Sequence, residues 1–86
     1  MAKHSHQILG ERIVARREDR RWDQKTLAEH AEINAGYLSM IERGLKAPSI
    51  GTLHKLRRAL SLSDAEFLGL IDLLQPEREG NGGEAA

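Results

Sequence analysis

Between Trp22 and Leu38 the same helix-entry pattern occurs twice, and this repetition constrains the geometry of the 86-residue chain more than any other feature. Asp23 is a favourable N-cap, a residue whose side-chain oxygen can accept a backbone N–H from the first turn of a helix. Trp22 before it and Leu27 after it stand at the two positions where apolar side chains pack as a hydrophobic staple. Asn34 repeats the cap, with Ile33 and Leu38 as the second staple, and only the stretch around Ala31 to Ile33 is left for a turn. Gly44 closes the second helix, because glycine readily takes the left-handed conformation that the residue past a helix end usually needs.

Two short helices on a turn of three or four residues form a helix-turn-helix layout. Which face of the second helix is free follows from the helical period. Leu38, Ile41 and Leu45 fall on one side and predict an inward stripe. Gly36, Ser39, Met40 and Arg43 fall on the other, with Ala35 and Tyr37 on the flanks. A small, weakly polar and basic outer face can lie in the DNA major groove, which is wide enough to take a helix. The same face would also suit an ordinary surface helix.

Gln24-Lys25-Thr26-Leu27-Ala28, then Tyr37 to Gly44 (YLSMIERG), then Pro48-Ser49 and Thr52-Leu53 resemble the Q-x-x-L-A, Y-L-S-x-I-E-R-G and P-S-x-x-T-L signatures of the phage Cro and repressor family. This family is also called the xenobiotic-response-element type of helix-turn-helix regulator. The resemblance runs from about Leu9 to Leu74, and several spaced motifs in order are far more specific than any one of them. It implies an all-α, compact five-helix bundle that acts as a dimeric transcriptional regulator at a short palindromic operator in double-stranded DNA. It also implies that Arg17 and Glu42 pair to fix the recognition helix to the first helix, and that Gln24 touches the DNA backbone. The positions that read base edges in relatives correspond to Ala35, Gly36 and Met40, none of which makes the bidentate hydrogen bonds of Arg, Asn or Gln. Close backbone approach at Gly36, thymine-methyl contacts from Ala35 or Met40, and hydrogen bonds from Asn34 or Ser39 remain. Phosphate contacts and DNA shape are therefore expected to carry much of the binding. Arg43 and Lys46, beside the recognition helix, are the expected phosphate contacts. Tyr37 suits either a phosphate hydrogen bond or packing against the preceding helix. The family generally has glycine where Glu32 stands, and a left-handed backbone at a non-glycine residue costs on the order of 1 kcal/mol.

The formal charge of zero hides an asymmetry. Residues 1–62 hold 12 Lys or Arg against 7 Asp or Glu, whereas residues 63–86 hold 1 against 6. Salt screens charges beyond about 10 Å, so a basic face can act locally while acidic residues lie elsewhere. A mixed, solvated surface would have the same composition. A chain of this length has room for one small domain, and its scarce aromatics predict a core of leucine, isoleucine and alanine. The absence of cysteine excludes a disulfide framework and a thiolate nucleophile. No apolar run approaches the roughly 20 residues needed to cross a bilayer, and a cytoplasmic protein is expected.

Residues 1–7, with His4 and His6, have no helical period and are expected to form a loose tail without a metal role; residues 8–75 form the domain. The first helix is expected from about Ile8 to Arg20, with Leu9, Ile13 and the stem of Arg16 or Arg17 inward. The second is expected over Gln24 to Ala31, the third over Ala35 to Arg43, and the fourth over Ile50 to Leu60 with Ile50, Leu53, Leu56 and Leu60 as its stripe. The fifth opens with the capping box Ser63-Asp64-Ala65-Glu66 and a staple of Leu62 on Phe67. Its apolar residues are too many for one inward stripe, so Phe67, Leu70, Ile71 and Leu74 are assigned to a homodimer interface. Wrapping of a small core would account for them as well. Pro76 is expected to end the helix and residues 76–86, rich in Gly and Glu, to be a disordered tail.

An enzyme is excluded for want of parts: there is no phosphate-binding glycine loop on a strand and no His and carboxylate constellation, and His30 and His54 are single residues on ordinary helices. No cofactor, metal or small-molecule substrate is expected. The remaining rival is a protein-interaction module that keeps the fold without reading an operator.

Overall fold

The computed structural model describes residues 4–74, and the expected acidic tail at 76–86 lies outside the described residues. Among them the chain forms α1 (Ser5–Asp19), α2 (Gln24–Ala31), α3 (Ala35–Glu42), α4 (Ile50–Leu60) and α5 (Asp64–Leu74), with no strand. Each entry signal works through local chemistry. The Asp23 carboxylate accepts the Thr26 N–H at 2.8 Å, the Asn34 side chain that of Tyr37 at 3.1 Å, and the Ser49 hydroxyl that of Thr52 at 3.1 Å. At α5 the box is reciprocal: Ser63 Oγ accepts from Glu66 N–H at 3.1 Å while Glu66 Oε1 accepts from Ser63 N–H at 2.9 Å.

The helices end on left-handed or capped residues. Gly44 has φ +77°, and the following amides return to the helix, Gly44 N–H to Ile41 at 3.0 Å and Leu45 N–H to Met40 at 2.9 Å. Glu32 takes φ 61° and ψ 46°, the left-handed conformation that glycine fills without strain. Glu32→Gly is therefore expected to raise stability by about 1 kcal/mol, seen as a higher urea midpoint; an unchanged midpoint would show that the turn carries no strain. Arg21 and Ser61 are also left-handed, which no local signal announced.

α1 packs on α3 and α5, and α2 on α3 and α4. The core is Leu9 and Ile13 of α1, Leu27, Ala28 and Ala31 of α2, Leu38 and Ile41 of α3, Leu53, Leu56 and Leu60 of α4, with Leu62, Phe67 and Leu70. Three expectations are corrected here. Residues 5–7 are not a tail but the first turn of α1: the Gln7 side-chain Oε1 accepts the His4 N–H at 3.0 Å, and Gln7 lies so close to Gly44 that a Cβ there would meet its Cγ at 2.7 Å. Leu45 is 61% exposed rather than buried, because the left-handed Gly44 ends the helix before the period can place it inward. Ile50 is 51% exposed; it is the first residue of α4, and the nearby Pro48 is buried while Ile50 stays outside the row of Leu53, Leu56 and Leu60.

Along α1, Arg17 turns inward whereas Arg16 stays exposed, bonded to Asp19 at 3.0 Å and paired with Glu66. On α5, Phe67 and Leu70 are enclosed by the chain's own core, so of the four residues assigned to a partner surface only Ile71 and Leu74 keep appreciable accessible area, beside Leu68 at 59% exposure.

Candidate nucleic-acid interface

α3 is held from two neighbouring helices by three hydrogen bonds to one carboxylate. Glu42 is buried, with a side chain 3% exposed. Its Oε2 accepts Arg17 Nε at 2.8 Å, and its Oε1 accepts both Arg17 Nη2 at 3.0 Å and Gln24 Nε2 at 2.7 Å. Arg17 Nη1 donates in turn to the carbonyl of Trp22 at 2.8 Å. Two parallel N–H bonds from a guanidinium to a carboxylate fix orientation as well as distance. The hydrogen bond to Glu42 holds the Arg17 guanidinium above its ordinary pKa, against the opposing effect of burial. This carboxylate thus ties the C-terminal end of α3 to α1 and to the start of α2.

Beneath it, Gly10 of α1 lies directly against α3, where a Cβ would stand 2.5 Å from the carbonyl oxygens of both Ile41 and Glu42. Sequence reasoning missed this contact, although a glycine inside an apolar helical period is itself a signal of close backbone approach.

With Leu38, Ile41 and Glu42 buried, the opposite face of α3 is uncovered. Ala35, Gly36, Met40 and Arg43 are exposed there and Ser39 is half-buried. Asn34 is exposed, but its side-chain oxygen is committed to the cap on Tyr37. Tyr37 is half-buried and its hydroxyl donates to Thr52 Oγ1 at 3.4 Å, in a chain with the Ser49 hydroxyl, so it bridges α3 to the start of α4. Arg43 Nε reaches back to the Ser39 carbonyl at 3.4 Å while the residue stays exposed, and Lys46 beyond the Gly44 turn is exposed too. Gln24, expected to face outward, is half-buried and its amide is bonded to Glu42. At the neighbouring cap, the Thr26 N–H holds the Asp23 carboxyl below its usual pKa.

Elsewhere two exposed histidines lie against aromatic rings. His30 stacks on Trp22 with ring centroids 4.3 Å apart, and His54 packs on Phe67 at 4.8 Å. Among the described residues no group of three or more His, Cys, Asp and Glu side chains is placed to hold a metal ion, and no helix is long and apolar enough to cross a membrane.

The helix-turn-helix family model matches residues 13–67. The chain is similar to the immunity repressor protein of Bacillus phage phi105, 36% identical over 70 residues, which are 81% of this chain and 49% of the relative. It is similar also to uncharacterized HTH-type transcriptional regulators of two Mycobacterium tuberculosis strains, CDC 1551 and H37Rv, each 33% identical over 67 residues, 78% of this chain and 48% of the relative. The chain spans about half the length of these relatives. No solved structure matches it significantly. With its capped helix pair, its clamped third helix and a family match across α1 to α5, the chain belongs to the helix-turn-helix family of the phage Cro and repressor, or xenobiotic-response-element, type.

Proposed function

We propose that this chain is a sequence-specific, double-stranded DNA-binding transcriptional regulator, a repressor or autoregulator, that lays α3 in the major groove of a short palindromic operator as a homodimer. The observation that carries the reading is the two-sidedness of α3: one face is clamped through Leu38, Ile41 and Glu42, and the other presents Ala35, Gly36, Met40 and Arg43 to solvent. A small rigid face of this kind fits a groove that admits a helix. Arg43 and Lys46 supply phosphate contacts, joined by Gln24; the Asn34 amide nitrogen, whose oxygen caps Tyr37, is left to hydrogen-bond DNA, and Tyr37 reaches a phosphate only by giving up its bond to Thr52. Gly36 lets the backbone approach the bases, Ala35 and Met40 meet thymine methyls, and Ser39 offers a hydroxyl. Because Ala35, Gly36 and Met40 lack bidentate donors, backbone contacts and duplex shape supply most of the affinity. The repressor and regulators that the chain resembles agree in kind. Dimerisation through Ile71 and Leu74, next to Leu68, would set two recognition helices about one DNA turn, roughly 34 Å, apart. The protein would act in the cytoplasm on the nucleoid.

Selection of preferred duplexes from a random pool is the direct test, with a two-fold symmetric site as the expected product. Binding should weaken steeply as salt rises, through counterion release. No binding to any duplex at low salt would end this reading. Arg43→Ala is expected to weaken binding to all sequences alike and to lower the salt slope by about one, measured by anisotropy titration. An effect confined to a single base pair would contradict its role as a phosphate contact.

A second reading, a protein-interaction module on the same fold, draws on the exposed Leu45 and Ile50 at the end of α3 and the start of α4. It predicts a chain that captures a protein partner and ignores DNA at every salt concentration.

A further inference from the structure

We infer that the buried carboxylate of Glu42 sets the orientation of the Gln24 side-chain amide, so that Glu42 is a positioning residue for a phosphate contact made by Gln24. The inference rests on the DNA-binding reading above and adds to it the source of the amide's geometry.

Glu42 Oε1 lies 2.7 Å from Gln24 Nε2, with Arg17 Nη2 on the same oxygen at 3.0 Å and Arg17 Nε on the other at 2.8 Å. Both oxygens of this carboxylate already act as acceptors toward the Arg17 guanidinium, and a carboxylate in that role offers acceptors only. Of the two ends of the Gln24 amide, therefore, only the nitrogen can face it; the carbonyl oxygen turned that way would meet like charge. The choice between the two amide orientations, which is ordinarily open, is made here by the chemistry of the neighbour. Nε2 carries two hydrogens, and the bond to Glu42 uses one. The second leaves the nitrogen at about 120° to the first, on a residue that is half-buried at the first position of α2 and so keeps part of its side chain at the surface. One nitrogen thus has a hydrogen for the inner carboxylate and another for a phosphate oxygen arriving from outside. A donor held in this way needs no side-chain ordering when the phosphate arrives, which is the entropic advantage of a preorganised contact.

The wild-type chain supplies a test that needs no variant. In nitrogen-15 spectra of the full chain, one Gln24 side-chain N–H should exchange slowly before DNA is added, and addition of duplex should shift the other. Two Gln24 protons that both exchange like those of a free glutamine would overturn the inference. The functional arm is a cycle of anisotropy titrations. Gln24→Met, similar in length but without hydrogen bonds, is expected to weaken duplex binding about tenfold at an unchanged salt slope, since the amide is neutral. In a background carrying Arg17→Met and Glu42→Leu, which removes both charges together, the same change should cost less than about threefold. Equal costs in the two backgrounds, or no cost in the wild type, would overturn the positioning role while leaving DNA binding intact. Failure of the wild-type chain to bind any duplex would instead remove the reading on which the inference rests.

Discussion

Gly10→Ala is expected to destabilise the domain by about 3 kcal/mol, because it forces a methyl group into the contact between α1 and α3. The added Cβ would lie 2.5 Å from the Ile41 and Glu42 carbonyl oxygens and 2.8 Å from the Glu42 carbonyl carbon. All three atoms are backbone, so no side chain can swing away to make room, and the end of α3 itself must shift. Alanine's better helix propensity returns about 1 kcal/mol at most, which is smaller than the steric cost. A domain of this size has only about 5–10 kcal/mol in hand, so the melting temperature should fall by roughly 10–20 °C. Urea denaturation checks the effect: the midpoint should drop at a constant slope. A midpoint equal to or above that of the wild type would mean that α1 and α3 are farther apart than described.

The other large effect is at the clamp. Glu42→Ala is expected to cost about 3 kcal/mol, because it leaves Arg17 without its carboxylate where that side chain is only 13% exposed. The Trp22 carbonyl remains as an acceptor for Nη1 and keeps the loss from growing larger. Gln24 loses its acceptor as well. The paired change Arg17→Met with Glu42→Leu removes both charges and should stay within about 1 kcal/mol of the wild type. Equilibrium unfolding of the two variants side by side separates charge from packing. If the paired change were as damaging as the single one, the clamp would be a matter of shape, not of an uncompensated guanidinium.

The legible parts of the fold were those written in short-range chemistry. Asp23, Asn34, Ser49 and Ser63 each meet an N–H three residues on, so the residue type and its immediate successors suffice to place the helix start. Gly44 was readable as a helix end for the same reason, a backbone conformation that other residues resist. The helical period puts Leu45 inward, but the left-handed Gly44 interrupts that period and Leu45 is exposed. At α5 the surplus of apolar residues was visible, but which of them the core would take was not, and Phe67 and Leu70 turned inward. In the candidate site, the outward face of α3 followed from its period, and the Arg17 and Glu42 pairing came from resemblance. The bond from Gln24 to Glu42 came from neither, since it joins residues on different helices whose separation only packing sets.

Gly44 and Gln7 show where the division falls. That the chain must turn at Gly44 is decided by glycine's own conformational freedom and needs no partner. That Gln7 rests against it, extending α1 to Ser5, depends on α1 being drawn onto α3 at Gly10. Helix ends are settled by atoms a few bonds apart, whereas the clamp on α3 and the burial of one apolar residue over its neighbour are settled by which helices share a contact. Those contacts exist only once the chain has closed on its core.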